Sequence, residues 1–178
     1  MKLKLLWLGI LSFLIPINQA FSFDTITPKD AYNLVTDYDN VYILDVRTNA
    51  EWTWVGHPGV NGVYDGTPLE GKVVNIAIRI DCGEVIGDKP DPNPNFVSDV
   101  KANFDPTHDV LITMCREGIR GAAAAKILES ENYKVMNMGG GFEGEPNKRG
   151  YRYVNGWVNK GLPYTYEGLG YQGKCPEK

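Results

Sequence analysis

Asp109-Val110-Leu111-Ile112-Thr113-Met114, followed by Cys115-Arg116-Glu117-Gly118 and then by Ile119-Arg120-Gly121 with four alanines at 122–125, sets the class of the fold. The run ending at Met114 is apolar apart from Thr113, the pattern of a strand buried on both faces in a parallel sheet. Ile119 to Ser130, with its alanines and Ile127-Leu128, is the strongest helix former in the chain. Lys134 to Met138 reads as the next strand. Strand, tight loop, helix and strand within about thirty residues make a βαβ unit, so the fold class is α/β.

Working outward, Val41-Tyr42-Ile43-Leu44 and residues 73–80 repeat the buried-strand character. Thr27-Pro28-Lys29-Asp30 opens a short helix to about Thr36, with Thr27 as cap, Pro28 in the first helical position and Asp30 suited to the dipole. Residues 88–95 carry three prolines and are expected to be irregular, with a short amphipathic helix after them over 96–104. The last forty residues hold ten of the twenty glycines but also seven aromatics between Phe142 and Tyr171, so they are expected to be loops that pack back on the body. The expected architecture is a three-layer domain, a central parallel sheet of four to five strands flanked by helices.

The chain has 178 residues, 43% of them hydrophobic, with 18 Lys and Arg against 22 Asp and Glu. That suits one globular domain with a sizeable core. The net charge of −4 and the lack of a basic block exclude a nucleic-acid partner. Residues 1–22 read as a signal peptide: Lys2 and Lys4 come first, Leu5 to Ile15 is apolar, Pro16 breaks the run, and Ala20-Phe21-Ser22 has the small-x-small pattern of a cleavage site. The apolar run is about half of the roughly 20 residues that a spanning helix needs. A mature domain over 23–178, periplasmic or secreted and without stable membrane insertion, is therefore expected; an uncleaved anchor is the alternative.

Export implies an oxidising compartment, where an odd thiol needs a reason. The three cysteines, Cys82, Cys115 and Cys175, are too far apart for a zinc site, and no motif implies a metal or organic cofactor. Cys115 stands where a buried strand gives way to a strong helix, the place where α/β proteins put ligand sites. Helix N-terminal amides, Arg116 and Arg120 favour the thiolate there, and Gly118 lets the backbone curl around one anionic centre. The plainer alternative is a small buried residue at a strand end.

These residues resemble the rhodanese-like sulfurtransferases, in order along nearly the whole chain after residue 22. Asp45-Val46-Arg47 followed by Glu51-Trp52 is similar to the family's D-V-R-x-x-x-E-W signature, and Gly56-His57-Pro58-Gly59-Val60 to its G-H-I-P-G-A. Cys115 to Arg120 matches the active loop, Met138-Gly139-Gly140-Gly141-Phe142 the glycine turn, and Trp157 with Gly161-Leu162-Pro163 the closing W-x-x-x-G-L-P. The resemblance implies that Cys115 accepts sulfur from a small anion such as thiosulfate, holds it as a persulfide, and passes it to cyanide, a thiol or a protein acceptor. The backbone of Arg116, Glu117, Gly118, Ile119 and Arg120 would cradle that sulfur. A relay or binding module acting with a partner protein is the alternative. Four residues separate Cys115 from Arg120, whereas Cys-based phosphatases and arsenate reductases, which share the cradle, place five there.

The sequence departs from the family's pattern in three ways. Glu117 puts a carboxylate in the loop, where it offsets the arginines and works against a dianionic donor. Insertions are expected near 61–72 and 143–155. Asp45 and Arg47 are expected to pair structurally, Glu51 likewise, and His57 to be a satisfied turn residue that supports the site. Cys82 and Cys175 are candidates for a disulfide; a resolving thiol or two free thiols are the other possibilities.

Overall fold

The computed structural model describes residues 23–59, 69–80 and 91–173. Residues 1–22, Cys82 and Cys175, and most of the insertion expected near 61–72 lie outside the described residues.

A five-stranded parallel sheet forms the centre, in the order β1-β8-β7-β2-β4. Its members are β1 (Asp24–Ile26), β2 (Val41–Asp45), β4 (Val73–Asn75), β7 (Val110–Met114) and β8 (Lys134–Met138). The helices are α1 (Pro28–Asp37), α2 (Asn49–Val55), α3 (Phe96–Asn103) and α4 (Ile119–Ser130). Three antiparallel pairs of very short strands decorate this frame: β3 (His57–Pro58) with β11 (Tyr164–Thr165), β5 (Arg79–Ile80) with β6 (Asp91–Pro92), and β9 (Glu145–Pro146) with β10 (Arg152–Val154).

Alternation along the central strands divides the core into two layers. Leu44 and Leu111 face Val100 of α3 and Ala124 and Leu128 of α4, whereas Ile43 and Ile112 face Ala31 and Val35 of α1 together with Phe142 and Trp157. Strands buried on both faces explain the unbroken apolar runs. The aromatic C-terminal segment does pack back: Phe142 and Trp157 are fully buried, and Tyr171 accepts from Asn93 at 2.9 Å while its hydroxyl donates to Asp99. Burial first, then the Asp99 carboxylate, push the Tyr171 hydroxyl up to about 12.

Two local expectations are corrected. Residues 73–80 are not one strand: the ladder with β2 gives out after Asn75, and the chain turns so that Arg79 and Ile80 pair with β6. Part of the proline-rich segment is regular, because Pro92 sits in a two-residue edge pair where its missing N–H costs little. The edge strand β1, three residues with no apolar pattern, is not signalled by the sequence and joins the sheet beside β8.

Candidate active site

The carboxyl ends of β2, β4, β7 and β8 lie along one edge of the sheet, and Cys115 follows directly on β7 there. Register places Asp45 opposite Met114, and the Val46 amide donates to the Met114 carbonyl at 2.9 Å, so the Asp45–Arg47 segment runs beside the loop. Cys115 is 1% exposed.

The loop closes on the sulfur. Gly118 has φ +108°, a left-handed conformation that glycine adopts without strain, and its N–H donates to Cys115 Sγ at 3.1 Å. The first amides of α4 also lack partners within the helix. From outside, the loop is clamped by the glycine turn: the Phe142 and Glu143 amides donate to the Cys115 and Arg116 carbonyls at 2.8 and 3.0 Å. Gly141, with φ +55°, is required at this crossing, since a Cβ would stand 2.8 Å from the Arg116 carbonyl carbon and the Glu117 nitrogen.

Every charged side chain of the loop has a counterion. Arg120 makes a bidentate pair with Glu51 of α2 at 2.7 and 2.6 Å, Arg116 meets Glu143 at 3.0 Å, and Glu117 meets Arg152 of β10 at 2.7 Å. From the sequence, Arg116 and Arg120 favour the thiolate and Glu117 works against a dianionic donor; in the fold all three side chains are held in ion pairs. Glu143 and Arg152, which supply two of the counterions, lie in the segment that sequence reasoning treated only as an insertion. The residues that flank that segment do signal a return to the body, the buried aromatics Phe142 and Trp157 on either side of it.

Asp45 and Arg47 are both completely buried. The Arg47 backbone amide, Nε and Nη2 all donate to the Asp45 carboxylate, Nη2 also donates to the Gly56 carbonyl, and the guanidinium lies 4.4 Å from the centre of the Phe142 ring. The pair therefore ties the end of β2 to the α2 terminus and to the residue that clamps Cys115. His57 lies in the β3–β11 seam, stacked on Trp52 with centroids 3.4 Å apart, and its nitrogens face the Pro58 and Glu167 carbonyls. Burial holds its pKa below the usual histidine value despite those two acceptors. Of the two tryptophans of α2, Trp52 is buried and Trp54 is 80% exposed.

Glu51 joins two parts of the site. It accepts from the Thr48 amide in a capping box at the start of α2 and also holds Arg120. Burial acts to raise its pKa, but Arg120, the Thr48 amide and Arg47 together bring it below the usual carboxylate value. Glu51→Gln is expected to cost about 1.5–3 kcal/mol at neutral pH, toward the lower figure because both partners are partly exposed. Because folding lowers this pKa, the contribution is fully present above the ordinary glutamate range and is lost as pH falls through the folded value. Urea melts of both proteins across pH check it: the gap narrows in acid, and a gap independent of pH contradicts the assignment.

A family model described as the Rhodanese-like domain matches residues 27–144. The chain belongs to the rhodanese-like family. An uncharacterised protein of Rickettsia conorii is 28% identical over 146 residues, spanning 82% of this chain and 99% of that one. Rhodanese-like domain-containing protein 17 of Arabidopsis thaliana is 37% identical over 76 residues, 42% of this chain and 40% of its own length. The crystal structure of Rv0390 from M. tuberculosis superposes with a TM-score of 0.66 at 28% identity, covering 82% of this chain and 100% of that one. This rhodanese-like domain thus has the family's fold and a general place among sulfur-transfer proteins. Among the described residues no helix is long and apolar enough to cross a membrane, and no group of three His, Cys, Asp or Glu is placed to hold a metal ion.

Proposed function

We propose that this rhodanese-like protein is an exported sulfurtransferase in which Cys115 carries sulfane sulfur as a persulfide between an anionic donor, thiosulfate or a persulfide, and a thiol or cyanide acceptor. The observation that carries the reading is the closure of the Cys115–Arg120 loop on Sγ, with the Gly118 N–H directed at the sulfur at 3.1 Å. A buried sulfur that receives an amide hydrogen bond is suited to negative charge.

In the first half-reaction the thiolate attacks the outer sulfur of the donor; with thiosulfate, an Sγ–S bond forms, the S–S bond of the donor breaks, and sulfite leaves with the electron pair. In the second, the acceptor attacks the stored sulfur and the Cys115 thiolate leaves. Covalent storage divides one difficult displacement into two easier ones. Gly118 and the first amides of α4 stabilise the charge on sulfur, while the surrounding burial keeps water from the persulfide. Export is supported by the composition of residues 1–22, and a mature chain would begin near Phe23.

Steady-state assay with cyanide as acceptor tests the activity. Saturable thiocyanate formation over many turnovers is expected. One equivalent of thiocyanate and no more would make the protein a relay that waits on a partner, and none would end the sulfur-transfer reading.

A further inference from the structure

We propose that the mouth of the Cys115 loop is a charge-balanced collar that selects an organic persulfide over a dianionic donor such as thiosulfate, with Glu117 and Glu143 as its specificity-determining residues. The inference rests on the sulfur-carrier reading and narrows the donor within it.

The collar is built from separate parts of the chain. Arg116, Glu117 and Arg120 come from the loop and the start of α4; Glu143 comes from the turn after β8, Arg152 from β10 and Glu51 from α2. Three cations meet three carboxylates, so the six side chains sum to no net charge. Capture of a dianion needs uncompensated positive charge, which guanidinium groups already held by carboxylates do not offer. A dianion entering this mouth must approach Glu117 and Glu143 or displace them, and partial burial strengthens that repulsion. Arg152 fixes the Glu117 carboxylate in place while also donating to the Gly144 carbonyl at 2.8 Å, so Glu117 does not simply swing away into solvent.

A second observation favours a donor with an organic body. A cavity of about 420 Å³ opens beside the collar, bounded mostly by apolar side chains such as Ile78, Phe96, Val97, Ile119 and Ile127, with Arg79 and Arg120 also on its wall. Ile119, which immediately follows the Gly118 cradle, is 71% exposed. An apolar group seated there covers this side chain and leaves its sulfur at the start of α4; an inorganic anion gains nothing from the apolar side chains that make up most of this wall. With R–S–SH as donor the balance is complete. The Cys115 thiolate forms the new Sγ–S bond, the R–S–S bond breaks, the electron pair leaves on R–S⁻, and the proton stays on the transferred sulfur.

The test measures the rate of sulfur addition to Cys115 in the full chain by intact mass, with benzyl hydropersulfide and with thiosulfate. In the wild type the hydropersulfide is the faster donor. Glu117→Gln and Glu143→Gln each free an arginine, and the ratio of thiosulfate rate to hydropersulfide rate is expected to rise about tenfold in the double variant. Added salt supplies a second readout on the unaltered protein. The wild-type thiosulfate rate is expected to hold steady or rise with ionic strength, because each arginine of the collar is already paired with a carboxylate. An unchanged ratio in the double variant, a wild type that prefers thiosulfate, or a thiosulfate rate that falls with salt overturns the collar while leaving the sulfurtransferase reading intact. Failure of both donors to load the wild type overturns the reading itself, and the collar with it.

Discussion

Asp45→Ala is expected to destabilise the fold by about 3–5 kcal/mol, because it leaves a completely buried guanidinium without its counterion. Against a typical domain stability of about 5–15 kcal/mol, such a loss puts much of the population at risk of unfolding. The Asp45 carboxylate receives the Arg47 backbone amide as well as its side chain, so removing it also strands a buried N–H. Charge rather than shape dominates the loss. The double variant Asp45→Leu, Arg47→Met, which removes both ions and fills their space, is therefore expected to be more stable than Asp45→Ala alone. Urea denaturation of the three proteins checks the order; a loss below about 1 kcal/mol for Asp45→Ala, the scale of an exposed ion pair, contradicts the account.

The legible parts of this molecule are those in which local chemistry and tertiary environment agree. Residues 109–138 carry a buried strand, a cradle with its obligatory glycine, an alanine-rich helix and a second strand, and they fold as β7, loop, α4 and β8. Thr27, Pro28 and Asp30 begin α1 as their types dictate. The strand β1 carries no signal because three edge residues, two of them exposed, need no pattern of their own once β8 supplies a parallel neighbour. The capping box of Thr48 and Glu51 was written in the sequence, and α2 could have been read from it.

For the candidate site, Cys115 and the loop that closes on it are contiguous in sequence and so can be read together. The counterions were not, since the Glu117–Arg152 and Arg120–Glu51 pairs span 35 and 69 residues and depend on how an insertion and a helix pack around the loop. Loop composition alone gives two arginines and a glutamate; the folded arrangement gives three closed ion pairs. That difference moves the inferred donor from an inorganic dianion toward an organic persulfide.

Cys115→Ser keeps the size of the side chain and the hydrogen bond from Gly118 but removes the polarizable sulfur that the chemistry needs. The fold should survive, and sulfur loading should be lost completely. The decisive measurement is the intact mass of the wild-type chain and of Cys115→Ser after exposure to benzyl hydropersulfide, before and after addition of cyanide. The account predicts a gain of one sulfur atom in the wild type, its removal by cyanide, and no gain in the variant. No gain in the wild type, or an equal gain that persists in Cys115→Ser and so resides on Cys82 or Cys175, would contradict it.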